Sequence, residues 1–299
     1  MKLHGIRSGV TVALCAALLV AAGGTGAQAA DGEQPYGGIE GNWTGGDVTA
    51  PERQIELSEQ AKEKIALTEA WVQAQDGKIS QDAFAKKESQ FLTKYNLTHT
   101  AAQKKAAGAS ASAAAAPSSR VLGVTHYAQA RNYYCGPATG AMMIKMIDGF
   151  IRSRHNNDAF SQENLANSAH MDTNARGLTD WSSKKFVFGL NRWRGESYYV
   201  QVPSPSPDNA VNTMMHSIGG NAKPIAADTV EFKGGRKYNN HPDHLTIGHW
   251  IAAYGYHTDG RYGKWVDPAT SVWPGVYKSF EYNTRDFTAT FLQSNGYAY

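Results

Sequence analysis

The segment from Thr246 to Val266 limits what this chain can fold into more than any other. Thr246 to His257 is rich in apolar and aromatic residues, Thr258-Asp259-Gly260 is a turn signal, and Arg261 to Val266 resumes a strand pattern. Two strands joined by so short a turn pair as an antiparallel hairpin, and a hairpin needs further strands or a helix to cover its faces. The same hairpin also bears on function. His249 opens the first strand and Asp267 closes the second, where Pro268 ends it. Antiparallel pairing sets the start of one strand beside the end of the next, so these two residues are expected to meet although far apart in sequence. His249, close to a sheet end, is the best candidate base for a nucleophile, and Asp267 is the group that would orient it.

The candidate nucleophile is Cys135. Of the two cysteines, Cys15 lies in residues 1–29, which read as a signal peptide. Lys2 and Arg7 give the positive start, Val10 to Ala22 the apolar run, and Ala27-Gln28-Ala29 the small-x-small cleavage site. The apolar run is too short to anchor the chain in a bilayer, and Leu14 is too large for a lipoprotein cleavage site. The mature form is therefore expected to be secreted, with no membrane partner. Exported proteins use cysteines mainly in pairs, so the one left over is a candidate reactive group. In the string YYCGPATGAMMIKMI, Gly136 and Pro137 precede the helix-forming run Ala138 to Ile147. Cys135 should thus sit at a helix N-terminus, where free N–H groups and the helix dipole favour a thiolate. The plain alternative is a small buried hydrophobe in front of a helix whose Met142, Met143, Ile144 and Met146 pack the core.

Composition divides the rest. Residues 30–100 read as a helical N-terminal segment and a candidate pro-region, 101–120 as an Ala/Ser-rich linker, and 121–299 as the main domain. In the helical segment, Leu57, Ala61, Ile65 and Val72 share one face of a first helix with Leu67 and Trp71 beside them, Asp76-Gly77 makes a turn, and Ser80 caps a second helix carrying Phe84, Phe91 and Tyr95. Two short amphipathic helices need a partner to bury their faces, so docking of this segment on the main domain is a candidate intramolecular contact. Residues 31–119 hold 9 Lys+Arg against 12 Asp+Glu, and residues 120–299 hold 18 against 14, a complementary but small difference. The overall formal charge of +3 gives no reason to expect nucleic acid as a partner. In the main domain, Val121 to Ala128 reads as a strand or extended lead-in. Ser161 to Ala169, Thr179 to Phe188 and Asp208 to Ile218 read as helices, and Pro224 to Ala227 as a short buried strand. One helix behind the nucleophile and one antiparallel sheet make an α+β fold.

These residues together resemble a known family. Gln129 six positions before Cys135-Gly136-Pro137-Ala138, then Gly248-His249-Trp250, then Trp265-Val266-Asp267-Pro268 resemble the papain-like cysteine peptidases. The closer likeness is to the bacteriocin-leader peptidases, peptidase family thirty-nine, in a secreted stand-alone form. The resemblance covers about residues 121 to 285. It implies a papain-like domain in which a nucleophile helix packs on an antiparallel sheet. It also implies Cys135 as nucleophile, His249 as base, Asp267 as orienter, a position where the family accepts carboxylate or amide, and Gln129 in the oxyanion hole. Such chemistry takes a peptide or protein substrate and needs no cofactor or metal. Without the membrane and ATPase parts of bacteriocin exporters, leader-peptide specificity does not carry over, and residues 150–207 match no motif. A cell-wall peptide amidase would use the same triad, and a non-catalytic binding protein could retain the fold. His241, Asp243, His244 and His249 offer metal-ligand chemistry, but Pro242 interrupts them and their spacing matches no helical zinc motif, so no metal site is assigned.

Overall fold

The computed structural model describes residues 55–97, 117–149 and 151–299. The segment read as a signal peptide at 1–29, the lead-in that follows it and most of the segment read as a linker lie outside the described residues. Among the described residues no helix is long and apolar enough to cross a membrane.

The centre is an antiparallel sheet. Its strands are β1 (Arg120–Val121), β2 (Gln201–Pro203), β3 (Ile225–Glu231), β4 (Ile247–His257), β5 (Tyr262–Val266), β6 (Ser279–Asn283) and β7 (Gly296–Ala298). The order is β2-β7-β3-β4-β5-β6, with β1 joining β4 beyond the end of β3. The hairpin is β4 and β5, turned by Thr258, Asp259 and Gly260, all with positive φ. Glycine takes that backbone region without strain, and the other two pay a small steric penalty for it.

Both faces of the sheet are buried. On β3 and β4, Ala226, Trp250 and Ala252 join one core cluster, and Ile225, Ala227, Ile251 and Ala253 join the other. Alternation between two apolar layers explains why these strands read as continuous apolar runs. One layer is covered by helix α3 (Cys135–Ile147), whose Ala141 to Ile144 are buried, and by α6 (Lys185–Arg194). The other is covered by α7 (Pro207–Thr213) and α8 (Thr284–Phe291). A register shift between Ala253 and Gly255 inserts one residue in β4 and brings Tyr256 onto the face of Ile251 and Ala253.

Helices α1 (Glu59–Gln75) and α2 (Gln81–Lys94) start at Ser58 and Ser80, each accepting from the N–H three residues on. The buried stripe of α1 is Ala61, Lys64, Leu67, Thr68 and Trp71, whereas Ile65 and Val72 are only half-buried. The stripe predicted from apolar spacing is therefore rotated, because a lysine belongs to it. Lys64 Nζ donates to the carbonyls of Tyr198 at 2.8 Å and Tyr299 at 2.6 Å and lies over the Tyr198 ring. Thr68 and Trp71 pack against His216, in a π-helical turn (Met214–Gly220) that continues α7.

Between α3 and β2 the chain forms short helices α4 (Gln162–Ala166) and α5 (Thr173–Arg176), then α6. The helix predicted at Thr179 to Phe188 instead begins at Lys185, after Lys184 adopts a positive φ. Asp180 holds the preceding residues in a turn by accepting from Ser182 Oγ and the Ser183 N–H. Strand β3 runs to Glu231, four residues beyond the predicted strand, because β4 pairs with it along its whole length, whereas β7 pairs only Ala226 to Asp228.

Candidate active site

Cys135 is the first residue of α3 and is 3% exposed. The first N–H groups of a helix have no intrahelical partner, so they are available to a developing negative charge near the thiol. Gly136 is required by a neighbour: a Cβ there would overlap Thr179 Oγ1 and Cβ. Thr179 in turn accepts at its carbonyl from Trp250 Nε1 at 2.9 Å, and Trp250 stacks on Phe186 with ring centroids 4.1 Å apart. Thr139 Oγ1 donates to the Trp250 carbonyl at 2.8 Å. Helix α3 is thus fixed to β4 at the residue after His249.

His249 is fully buried, and its Nε2 lies 2.9 Å from Asp267 Oδ1. Nδ1 makes no hydrogen bond of full geometry, although the Cys135 thiol interacts with the ring. Burial disfavours a charged ring, yet the charge and hydrogen bond of Asp267, together with Cys135, outweigh it and raise the His249 pKa to about 9. Burial would raise the Asp267 carboxyl, but the charge of His249 and the hydrogen bonds from His241 and His249 hold it below the usual carboxylate range.

Asp267 follows β5 and caps a 3-10 turn, Pro268–Ser271, by accepting from the Ala269 N–H at 2.8 Å. Its Oδ2 accepts from Asn239 Nδ2 at 2.7 Å and meets His241 Nε2 at 2.9 Å. His241 Nδ1 meets Glu231 Oε2 at 2.5 Å. Trp273 packs on both histidine rings, with centroids 4.8 Å from His241 and 5.7 Å from His249. The structure therefore places Cys135, His249 and Asp267 next to one another, with His241 and Glu231 behind Asp267. Ligand atoms of His241, His249 and Asp267 lie within 4.8 Å of one another, but each histidine Nε2 sits at hydrogen-bonding distance from Asp267, as a donor to it.

Gln129 is buried beside the nucleophile loop, but its amide faces that loop. Nε2 donates to the carbonyls of Arg131 at 3.0 Å and Asn132 at 2.7 Å, and Oε1 is buried without a partner. Both amide hydrogens are thus engaged, and none is left to point at an oxyanion. The Gln129 backbone ties the loop to the turn after Asp267: the Gln129 N–H donates to the Pro268 carbonyl, and Ser271 Oγ donates to the Gln129 carbonyl. His126, without an evident partner in the sequence, contacts the Asp267 carbonyl through Nε2 at 2.9 Å.

The model of the Peptidase_C39 like family matches residues 121–299. Among solved structures, the chain is similar to digestive procathepsin L 3 of the Tenebrio molitor larval midgut, at 13% identity and a TM-score of 0.38, covering 80% of this chain and 89% of that one. It is also similar to xylellain, a cysteine protease from Xylella fastidiosa, at 12% identity and a TM-score of 0.31, covering 68% of this chain and 87% of that one. No curated protein matches the chain. With the family match spanning more than half of its length, the chain belongs to the Peptidase_C39 like family and is a cysteine peptidase.

Proposed function

We propose that the chain is an exported cysteine peptidase that cleaves peptide bonds through Cys135, His249 and Asp267. The observation that carries this reading is the buried His249–Asp267 hydrogen bond of 2.9 Å beside a thiol at a helix N-terminus. With Nε2 committed to Asp267, the other ring nitrogen serves Cys135. The sulfur attacks the scissile carbonyl carbon as a thiolate, with His249 holding the proton. The oxyanion is met by the Cys135 N–H, and by Gln129 once its amide leaves the Arg131 carbonyl, the longer of its two bonds. His249 then protonates the leaving amine, and water, deprotonated by the same ring, releases the acyl group and restores the thiol.

Export is supported by the signal-peptide pattern of residues 1–29. The role proposed for α1 and α2 is a fixed buttress. Their contacts with Ser197, Tyr198, His216 and Tyr299 gather where β3 begins and β4 ends, near the level of Ile225 and Ala253. At strand spacing, Ala253 lies about 13 Å along β4 from His249. That supports a support role over a plug in the cleft. The test of the triad is a thiol-directed peptidyl epoxide read by intact mass. One adduct per chain, mapped to Cys135 and lost in His249→Ala, is expected. Labelling at equal rate without His249 would refute the pairing.

A further inference from the structure

Behind Asp267 the hydrogen-bonded chain continues through groups that a triad does not require. His241 lies in the connection from β3 to β4, 4% exposed, with both ring nitrogens against carboxylate oxygens: Nδ1 at 2.5 Å from Glu231 and Nε2 at 2.9 Å from Asp267. An ionised carboxylate only accepts, so a ring held between two of them carries a proton on each nitrogen. Glu231, the last residue of β3, is 1% exposed, and its other oxygen accepts from the Tyr238 N–H at 2.9 Å.

We infer that His241, clamped by Glu231, is a positioning residue for peptide hydrolysis: a doubly protonated ring that anchors the Asp267 oxygen not used by His249. Asp267 without this anchor could swing about its side-chain torsion and loosen the His249 ring, whose other nitrogen must meet the thiol. Glu231 has the complementary task. A second imidazolium beside Asp267 would otherwise weaken the pull of that carboxylate on His249, and the Glu231 charge offsets it. The other groups facing His241 leave this balance in place. Tyr238 and Trp273 are neutral rings at 4.5 and 4.8 Å. Asn239 Nδ2 is a neutral donor to the same Asp267 oxygen. Lys237 Nζ is held by the carbonyls of Glu231, Phe232 and Leu245, and Asp243 acts on that lysine. On the far side of Asp267 stand His249 and Cys135.

The inference rests on Asp267 being the orienter, and two measurements test it. The first is ¹⁵N NMR of the histidine rings in the full chain at pH 7, with His241 identified by loss of its signals in His241→Gln. Both ring nitrogens should be protonated, and a ring with a single proton would overturn the inference. The second is turnover of a fluorescence-quenched peptide by the double variant Glu231→Gln, His241→Gln, which keeps amide donors and leaves no buried lone charge. Rates are divided by the sites titrated to completion with the thiol-directed peptidyl epoxide, which needs the folded site, so a partly unfolded preparation lowers the titre and not the quotient. On the scale known for groups that orient a ligand from behind, kcat per titrated site should fall on the order of tenfold with KM unchanged. Wild-type kcat per site would overturn it. Should Asp267→Ala itself retain wild-type kcat, the orienter assignment falls. If Asp267→Ala is inactive and the double variant is not slowed, the role of His241 alone falls.

Discussion

Asp267 accepts two hydrogen bonds on each oxygen: His249 and the Ala269 N–H on Oδ1, His241 and Asn239 on Oδ2. An amide has one accepting atom, so Asp267→Asn would turn an NH₂ group toward two donors. A carboxylate-to-amide change is mild where the orienter has one partner, but not here. We expect it to lower kcat by at least about a hundredfold and to cost about 1–3 kcal/mol of stability, read by peptide turnover and urea unfolding. Near-wild-type turnover would mean that Asp267 is not ionised and fully bonded in the active form. The histidines set the pH dependence. Their native pKa values, about 9 for both His249 and His241, lie above the ordinary value. Their contribution to stability is therefore complete below about pH 6.5 and lost as pH rises through about 9. In the proposed mechanism protonated His249 is the donor to the leaving amine, so single-turnover acylation should fall on the alkaline side with a midpoint near 9, and a flat profile through that region would contradict the assignment. Cys135, His249 and Asp267 were legible from the helix start and the hairpin alone. His241 and Glu231 were not, because their meeting depends on the path of residues 232–246, which carry no periodic pattern. The engaged amide of Gln129 was hidden for a similar reason: its partners are backbone carbonyls of an irregular loop.

At the scale of elements, the site depends on how closely α3 approaches the turn at Thr179. Gly136→Ala would force Thr179 aside, and with it the carbonyl that accepts from Trp250. Overpacking of this kind costs about 1–3 kcal/mol. A drop in Tm of about 2–4 °C per kcal/mol, measured by calorimetry, should follow, with a lower iodoacetamide rate at Cys135. An unchanged Tm would show that Thr179 moves freely. The long elements could be read from sequence because each had its own signal: the apolar run of α3, the turn between β4 and β5, the apolar face of α1, the serine cap of α2. The strands β2, β6 and β7 had none. They are three to five residues long, and their pairing is fixed by partners far along the chain. The start of α6 also escaped periodicity, since it is set by the Asp180 turn and by Lys184 at positive φ.

Across the whole molecule, helices α1 and α2 complete a core that the main domain shares with them: Leu67, Trp71, Phe84 and Phe91 belong to the cluster that contains Cys135, Met142 and Trp250. Removing residues before Arg120 should therefore expose apolar surface, lower Tm and leave the peptidase no faster per titrated thiol. A shorter chain that hydrolyses peptides faster, and is slowed when the separate segment is added back, would restore the inhibitory pro-region reading. Acid should loosen the same contact. Burial and the charge of Lys64 lower the His216 pKa to about 3. A histidine whose native value is depressed takes up its proton more readily once unfolded, so stability is lost as pH falls below about 6.5. Thermal unfolding followed from pH 7 to pH 4 should show that loss, and in His216→Phe the slope should flatten. The central claim is that Cys135 is the nucleophile of a peptidase, and its most direct test is a peptide library incubated with the purified chain and with Cys135→Ala, each checked for fold by circular dichroism and read by mass spectrometry. Cleavage products should form with the wild-type chain and be absent with the variant; the same products at the same rate from Cys135→Ala would contradict the account.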